Sequence, residues 1–157
     1  MEHYLELLNS AKKQMELIEH MIYVTYPLVN ENKLLLVMLN NIIKCARTSL
    51  QSLLEFERIS KNISGWDNSF LGEIFIYKQK IEQKYALNPK YFRFLQKLCE
   101  LEKIDLESNV RFKRGERYIL SLANFEKIFE LDLNLIKKYA SLTKNFIEDI
   151  LKIIEKK

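Results

Sequence analysis

The stretch from Asn32 to Ile59 constrains the fold more than any other part of the chain. Leu35, Leu39, Ile42, Ala46, Leu53 and Phe56 recur at spacings of about 3.5 and make one apolar stripe. Leu36, Ile43, Leu50 and Leu54 make a second stripe beside it, so only Asn40, Lys44, Arg47, Gln51, Glu55 and Arg58 are left as a polar strip. A helix apolar over most of its circumference must be covered on at least two sides. The segment is therefore expected to be a central core helix, with the remaining segments wrapped around it.

Those segments carry their own helix signals. Tyr4, Leu8, Ala11, Met15, Ile18 and Ile22 form a stripe that predicts a first helix from Glu2 to Tyr26, stopped by Pro27 because the residue before a proline is biased out of the α region. Asn30 is read as the N-cap of the central helix, and so short a connection predicts an antiparallel helical hairpin. Asp67 is read as the cap of a third helix with an aromatic-rich face of Phe70, Leu71, Ile74, Phe75, Tyr77, Ile81 and Tyr85. Asn88 followed by Pro89 combines an N-cap with a first-turn proline and opens a fourth helix to about Leu106, with Phe92, Leu95, Leu98, Cys99 and Leu101 inward. Asp132 caps a last helix through Glu155, with Leu135, Tyr139, Leu142, Phe146, Ile150 and Ile153 inward.

Between the last two helices the pattern fits two structures. Val110, Phe112, Tyr118, Leu120 and Leu122 alternate as a strand would, with Phe125 to Leu131 as its partner and Ala123–Asn124 at the turn. Tyr118, Leu122, Phe125 and Phe129 also fit a helical stripe; the hairpin is the preferred reading. With three glycines and two prolines in 157 residues, few turns are available. The expectation is a mainly all-α single domain over residues 1–157. It is an up-and-down bundle of four to five long helices around a central one, with a small β-hairpin before the last helix.

The chemistry inventory is thin. His3 and His20 are the only histidines, both on the first helix, and His20 is read as a solvated partner of Glu16. No Glu-x-x-His, His-Glu-x-x-His or Cys-x-x-Cys occurs, nor any glycine-rich phosphate loop or Gly-x-Ser-x-Gly elbow. Neighbouring acids such as Glu55 with Glu57 and Glu148 with Asp149 are read as solvated. Cys45 and Cys99, among apolar neighbours, read as free thiols in a reducing compartment. No catalytic residue, cofactor site or metal site is assigned. The chain has no basic-then-apolar leader and no apolar run long enough to span a bilayer, so a cytoplasmic protein without membrane partners or a small-molecule ligand is expected.

Two features bear on partners. Arg111, Lys113, Arg114 and Arg117 crowd together with Phe112 and Tyr118, and Lys90, Arg93 and Lys97 run down the fourth helix. Such basic groups can hold a nucleic-acid backbone, or simply dress a strand edge for solubility. The net charge of +4 permits an anionic partner without demanding one. Tyr91, Phe92 and Phe94 span more than half a turn, so Tyr91 and Phe94 are candidates for an oligomer interface. Arg47 and Arg58 are read as the solvent edge of the central helix, the latter paired with Glu55.

Met21-Ile22-Tyr23-Val24-Thr25-Tyr26-Pro27-Leu28, the helix end Leu54-Glu55-Phe56-Glu57-Arg58, and Phe112-Lys113-Arg114 before a Tyr-Ile-Leu segment together resemble small uncharacterised archaeal helical proteins. More loosely, the layout is similar to the HEPN group of four-helix domains. Catalytic members of that group carry an arginine shortly followed by a histidine, whereas here every arginine lies after the last histidine. The resemblance implies a non-cleaving member that binds RNA or pairs with another protein. The leading expectation is a non-enzymatic interaction module that self-associates as a dimer, and the alternative is a nucleic-acid-binding domain without nuclease activity.

Overall fold

The computed structural model describes the backbone of residues 2–107, 110–114, 117–122 and 127–156, and the side chains of 2–103 and 129–156. It is the expected mainly helical bundle, built around α3 (Lys33–Ile59). Leu35, Leu39, Ile42, Ala46, Leu53 and Phe56 are all buried, as are Ile43, Leu50 and Leu54 of the second stripe. Helix α1 (His3–His20) lies antiparallel along α3. Three bonds show the direction: Ser52 Oγ donates to Tyr4 O at 2.7 Å, Cys45 Sγ to Ala11 O at 3.3 Å, and Asn41 Nδ2 to Met21 Sδ at 3.5 Å.

The first helix does not stop at Pro27. After α1 the chain makes a π-turn, Met21–Thr25, and a short α2, Tyr26–Val29. The Tyr26 N–H reaches back to Met21 O, a wider turn that accommodates the proline ring and puts Pro27 at the start of a new helix, where its missing N–H costs little. Asn30 adopts the left-handed conformation (φ 50, ψ 41) and closes α2 rather than capping α3. The buried Asn32 instead ties the two helices, accepting a hydrogen bond from Tyr26 Oη at 3.1 Å.

Helix α4 (Phe70–Lys80) is capped by Ser69, not Asp67: Ser69 Oγ accepts the Gly72 N–H at 3.0 Å and donates to Asp67 Oδ2 at 2.9 Å. This fold-back requires glycine at 72, because a Cβ there would sit 2.8 Å from both Cβ and O of Asp67. The aromatic face divides, with Phe70, Ile74 and Tyr77 inward and Leu71 and Phe75 in solvent. Helix α5 (Pro89–Glu107) begins as expected, Asn88 Oδ1 accepting the Lys90 N–H at 2.9 Å. Its buried stripe is Tyr91, Phe94, Leu95, Leu98 and Leu101, while Phe92 and Cys99 are only partly covered.

Where a two-stranded hairpin was expected, a three-stranded antiparallel sheet forms in the order β1 (Val110–Arg114), β2 (Arg117–Leu122), β3 (Lys127–Leu131). The segment read as one alternating strand instead forms two antiparallel strands with Arg114 opposite Arg117, and that pairing changes which residues share a row. Phe112 now lies opposite Ile119, and Tyr118 opposite Lys113, so Phe112 and Tyr118 are in rows of opposite parity. The expected turn at Ala123–Asn124 lies outside the described residues. Helix α6 (Leu133–Glu155) is capped by Asp132, whose Oδ1 accepts the Leu135 N–H at 2.8 Å. It runs antiparallel to α5, with the Phe94 and Tyr139 rings 5.2 Å apart and the Tyr91 and Phe146 rings 4.9 Å apart. Among the described residues, no helix is long and apolar enough to cross a membrane.

Candidate functional site

Lys90, Arg93 and Lys97 follow one another at spacings of three and four on the solvent side of α5. The structure sets Lys138 of α6 across from them, so that the four cations border one groove of about 540 Å³ whose floor includes the buried rings of Phe94 and Tyr139. Antiparallel packing of α5 on α6 produces this arrangement, since the rings that seal the helix pair lie directly beneath the cations. Lys97 alone of the four meets a carboxylate among the described residues, its Nζ 3.9 Å from Glu100 Oε2. Burial, then the nearby Glu100 charge, raises the Tyr139 phenol above its ordinary value. Lys90, Arg93 and Lys138 form no ion pair among the described residues. The N-terminal turn of α5, capped by Asn88, sets its positive dipole end beside Lys90.

At its other end the groove meets the sheet. Lys97 Nζ lies over the Phe129 ring, 5.2 Å from its centroid. Phe129 pairs with Leu120, which pairs with Arg111, so Arg111 occupies the same cross-strand row. Lys113 shares a row with Tyr118 and Leu131, whereas Arg114 is paired with Arg117 in rows of the other parity. Arg111 and Lys113 thus stand in rows of one parity, and Arg114 and Arg117 in a row of the other. Their side chains lie outside the described residues.

Tyr91 and Phe94 are not an exposed oligomer surface. Each is only 5% exposed, because α6 covers them, and Tyr91 Oη donates to Asp149 Oδ2 at 2.6 Å. Burial and that carboxylate push the Tyr91 phenol up. Leu95, Leu98 and Leu101 are buried as the spacing predicts, and the buried face extends to Tyr91 and Phe94 rather than to Phe92 and Cys99.

The acids hold the larger surprise. Glu57, read as solvated, is fully buried and accepts hydrogen bonds from Lys84 Nζ at 2.9 Å and from Tyr85 Oη. Glu73 is also buried; Arg47 Nε donates to it at 2.8 Å and Gln51 Nε2 at 3.0 Å. Glu82, buried in the turn after α4, is met by Lys78. Arg47 is thus a structural clasp as well as part of a shallow cleft of about 470 Å³ along the polar strip, lined also by Asn40, Lys44, Gln51 and Glu102. The Glu73 bond raises the Arg47 guanidinium further. Arg58 pairs with Glu55, as expected. A signal for Glu57 was present: it follows Leu53 and Leu54 at helical spacing, in a core register. Lys138 was missed because it lies next to Tyr139 on a helix read only for its inward face.

His20 is exposed, and its Nδ1 lies 3.4 Å from Thr25 Oγ1 across the π-turn rather than beside Glu16. His3 lies 3.7 Å from Glu6. Cys45 is a buried free thiol pushed up to about 12 by burial, and burial raises Cys99 as well. Among the described residues, no three His, Cys, Asp or Glu side chains converge as a metal set would require. Fold and groove together define a mainly α-helical bundle with a basic channel on one side. Comparison with protein-family models, with curated proteins and with solved structures finds no match.

Proposed function

We propose that the chain is a non-enzymatic module that holds the backbone of a single-stranded nucleic acid in the α5–α6 groove. The observation that carries this reading is the gathering of Lys90, Arg93, Lys97 and Lys138 around one groove, with only Lys97 meeting a carboxylate, Glu100, among the described residues. From Lys90 to Lys97 the helix rises about 10 Å, so successive cations stand roughly 5 Å apart along a line, close enough for each to meet a phosphate of an extended strand. Phe94 and Tyr139 are buried and Phe129 lies beneath Lys97, so these groove residues offer cations to phosphates and no open ring to a base. Binding is therefore expected to be indifferent to sequence and strongly dependent on salt. The non-enzymatic part of the reading is supported by the two exposed histidines, which have no carboxylate partner deep in a cleft, and by thiols raised rather than lowered.

Fluorescence anisotropy with a labelled twelve-nucleotide oligouridine tests the reading. Four phosphate contacts predict a slope of about −3 for log affinity against log salt. Reversing all four cations (K90E, R93E, K97E and K138E together) is expected to weaken binding by roughly 100-fold or more, with an unchanged helical spectrum. Absence of binding at low salt, or full affinity in the reversed variant, sinks the proposal.

A further inference from the structure

The cleft along the polar strip of α3 has a charge pattern that the α5–α6 groove lacks. Lys44 and Arg47, one helical turn apart, stand on its α3 wall, and Glu102 stands on its α5 wall. The Arg47 guanidinium is raised first by its bond to Glu73, then by the Glu73 charge, then by the Glu102 charge, so Glu102 lies within electrostatic reach of it. Yet neither Glu102 nor Lys44 forms an ion pair among the described residues. Opposite charges face each other across a cleft of about 470 Å³ without closing on each other.

Arg47 does not close the gap because it is held from behind. Its Nε and Nη2 donate to Glu73 at 2.8 and 3.5 Å, and Glu73 is only 1% exposed. Gln51 Nε2 donates to the same carboxylate at 3.0 Å, and the guanidinium carbon lies 5.6 Å from the centroid of the buried Phe70 ring. An ion pair built on a buried carboxylate adds little net stability over apolar residues of the same size. What it supplies here is orientation. Glu73 takes two of the five guanidinium N–H donors, which leaves three on a side chain that still lines the cleft. An oriented, planar guanidinium with free donors suits a carboxylate.

The balance of charge selects the ligand. Lys44 and Arg47 are offset by Glu73 and Glu102, so the cleft as a whole is neutral. A simple anion gains from Lys44 and Arg47 but meets Glu102, and a simple cation gains from Glu102 but meets the other two. A molecule with one charge of each sign satisfies both walls. We propose that this cleft binds a small amino-acid zwitterion, its carboxylate on Arg47 and Lys44 and its ammonium on Glu102. The cleft shares no lining residue with the α5–α6 groove, so the two proposals fail separately.

Isothermal titration calorimetry of the full chain at neutral pH is the test, with glycine, β-alanine and γ-aminobutyrate as probes. The three differ in the separation of their two charges. At least one is expected to bind saturably, about 10-fold or more tighter than acetate and than methylammonium, which carry one charge each. E102Q, at a position with no ion pair to lose, should abolish that preference while the helical spectrum stays unchanged. K44M should weaken zwitterion binding by about 3-fold, as loss of an exposed charge contact does. Failure of all three probes to bind at about 10 mM overturns the inference. Acetate binding as tightly as the best zwitterion also overturns it, since the cleft would then be a plain anion site. Full zwitterion affinity in either variant does the same.

Discussion

Two regions of the molecule treat their cations in opposite ways. Around α3, α4 and the turn after α4, Arg47, Lys78 and Lys84 each meet a buried carboxylate: Glu73, Glu82 and Glu57. Along α5 and α6, Lys90, Arg93 and Lys138 form no ion pair among the described residues, and Lys97 meets only the exposed Glu100. In the first region the cation serves folding, because a buried carboxylate left alone is strongly destabilising. In the second, Lys90, Arg93 and Lys138 meet no buried carboxylate among the described residues. A net charge of +4 conceals this division, since cations spent internally and cations left over count equally.

The sharpest way to break the comparison is to exchange matched arginines. Arg47→Ala leaves Glu73 buried with Gln51 as its remaining clasp and should cost about 3 kcal/mol of stability. Arg93→Ala should stay within about 0.5 kcal/mol, as surface changes do. Urea denaturation of both variants measures the contrast, and equal losses would erase the distinction between the regions.

Tyrosines refine it. Tyr85→Phe removes a donor to the buried Glu57 and should cost about 2 kcal/mol. The fully buried Tyr77 hydroxyl has no hydrogen-bond partner among the described residues, so Tyr77→Phe should be neutral within about 0.5 kcal/mol, or stabilising. A large loss from Tyr77→Phe would mean that its hydroxyl is satisfied after all.

The smallest effect is the response to alkali. Burial raises the Cys45 thiol from 9.0 to about 12 and pushes the Tyr77 and Tyr91 phenols up as well. Groups raised on folding contribute stability that is complete below their unfolded values and declines as pH rises past them. Unfolding free energy should therefore be flat to about pH 8 and fall gradually above it, since free cysteine and tyrosine titrate near 8.5 and 10. At pH 8 Cys45 should resist thiol reagents while the partly exposed Cys99 reacts, which mass spectrometry of the labelled chain would resolve.

The chain's residues by themselves determined the central helix, its neighbours and two of their caps. Those features are local: stripes at helical spacing from Leu35 to Phe56, Asn88 before Pro89, and Asp132 accepting from Leu135. The line Lys90, Arg93 and Lys97 was also legible, because exposed positions three and four apart on one helix are neighbours whatever packs behind them. Only the tertiary structure decided the rest. Lys138 joins that line because α6 lies antiparallel on α5, and Tyr91 and Phe94 face inward because α6 covers them. Phe112 and Tyr118 stand in rows of opposite parity because β1 pairs back on β2. Glu57 and Glu73 are buried because Lys84 and Arg47, twenty-seven and twenty-six residues distant, come to meet them. Spacing along a chain specifies which side chains share a face, but whether a face meets water or another element depends on packing between residues far apart in sequence.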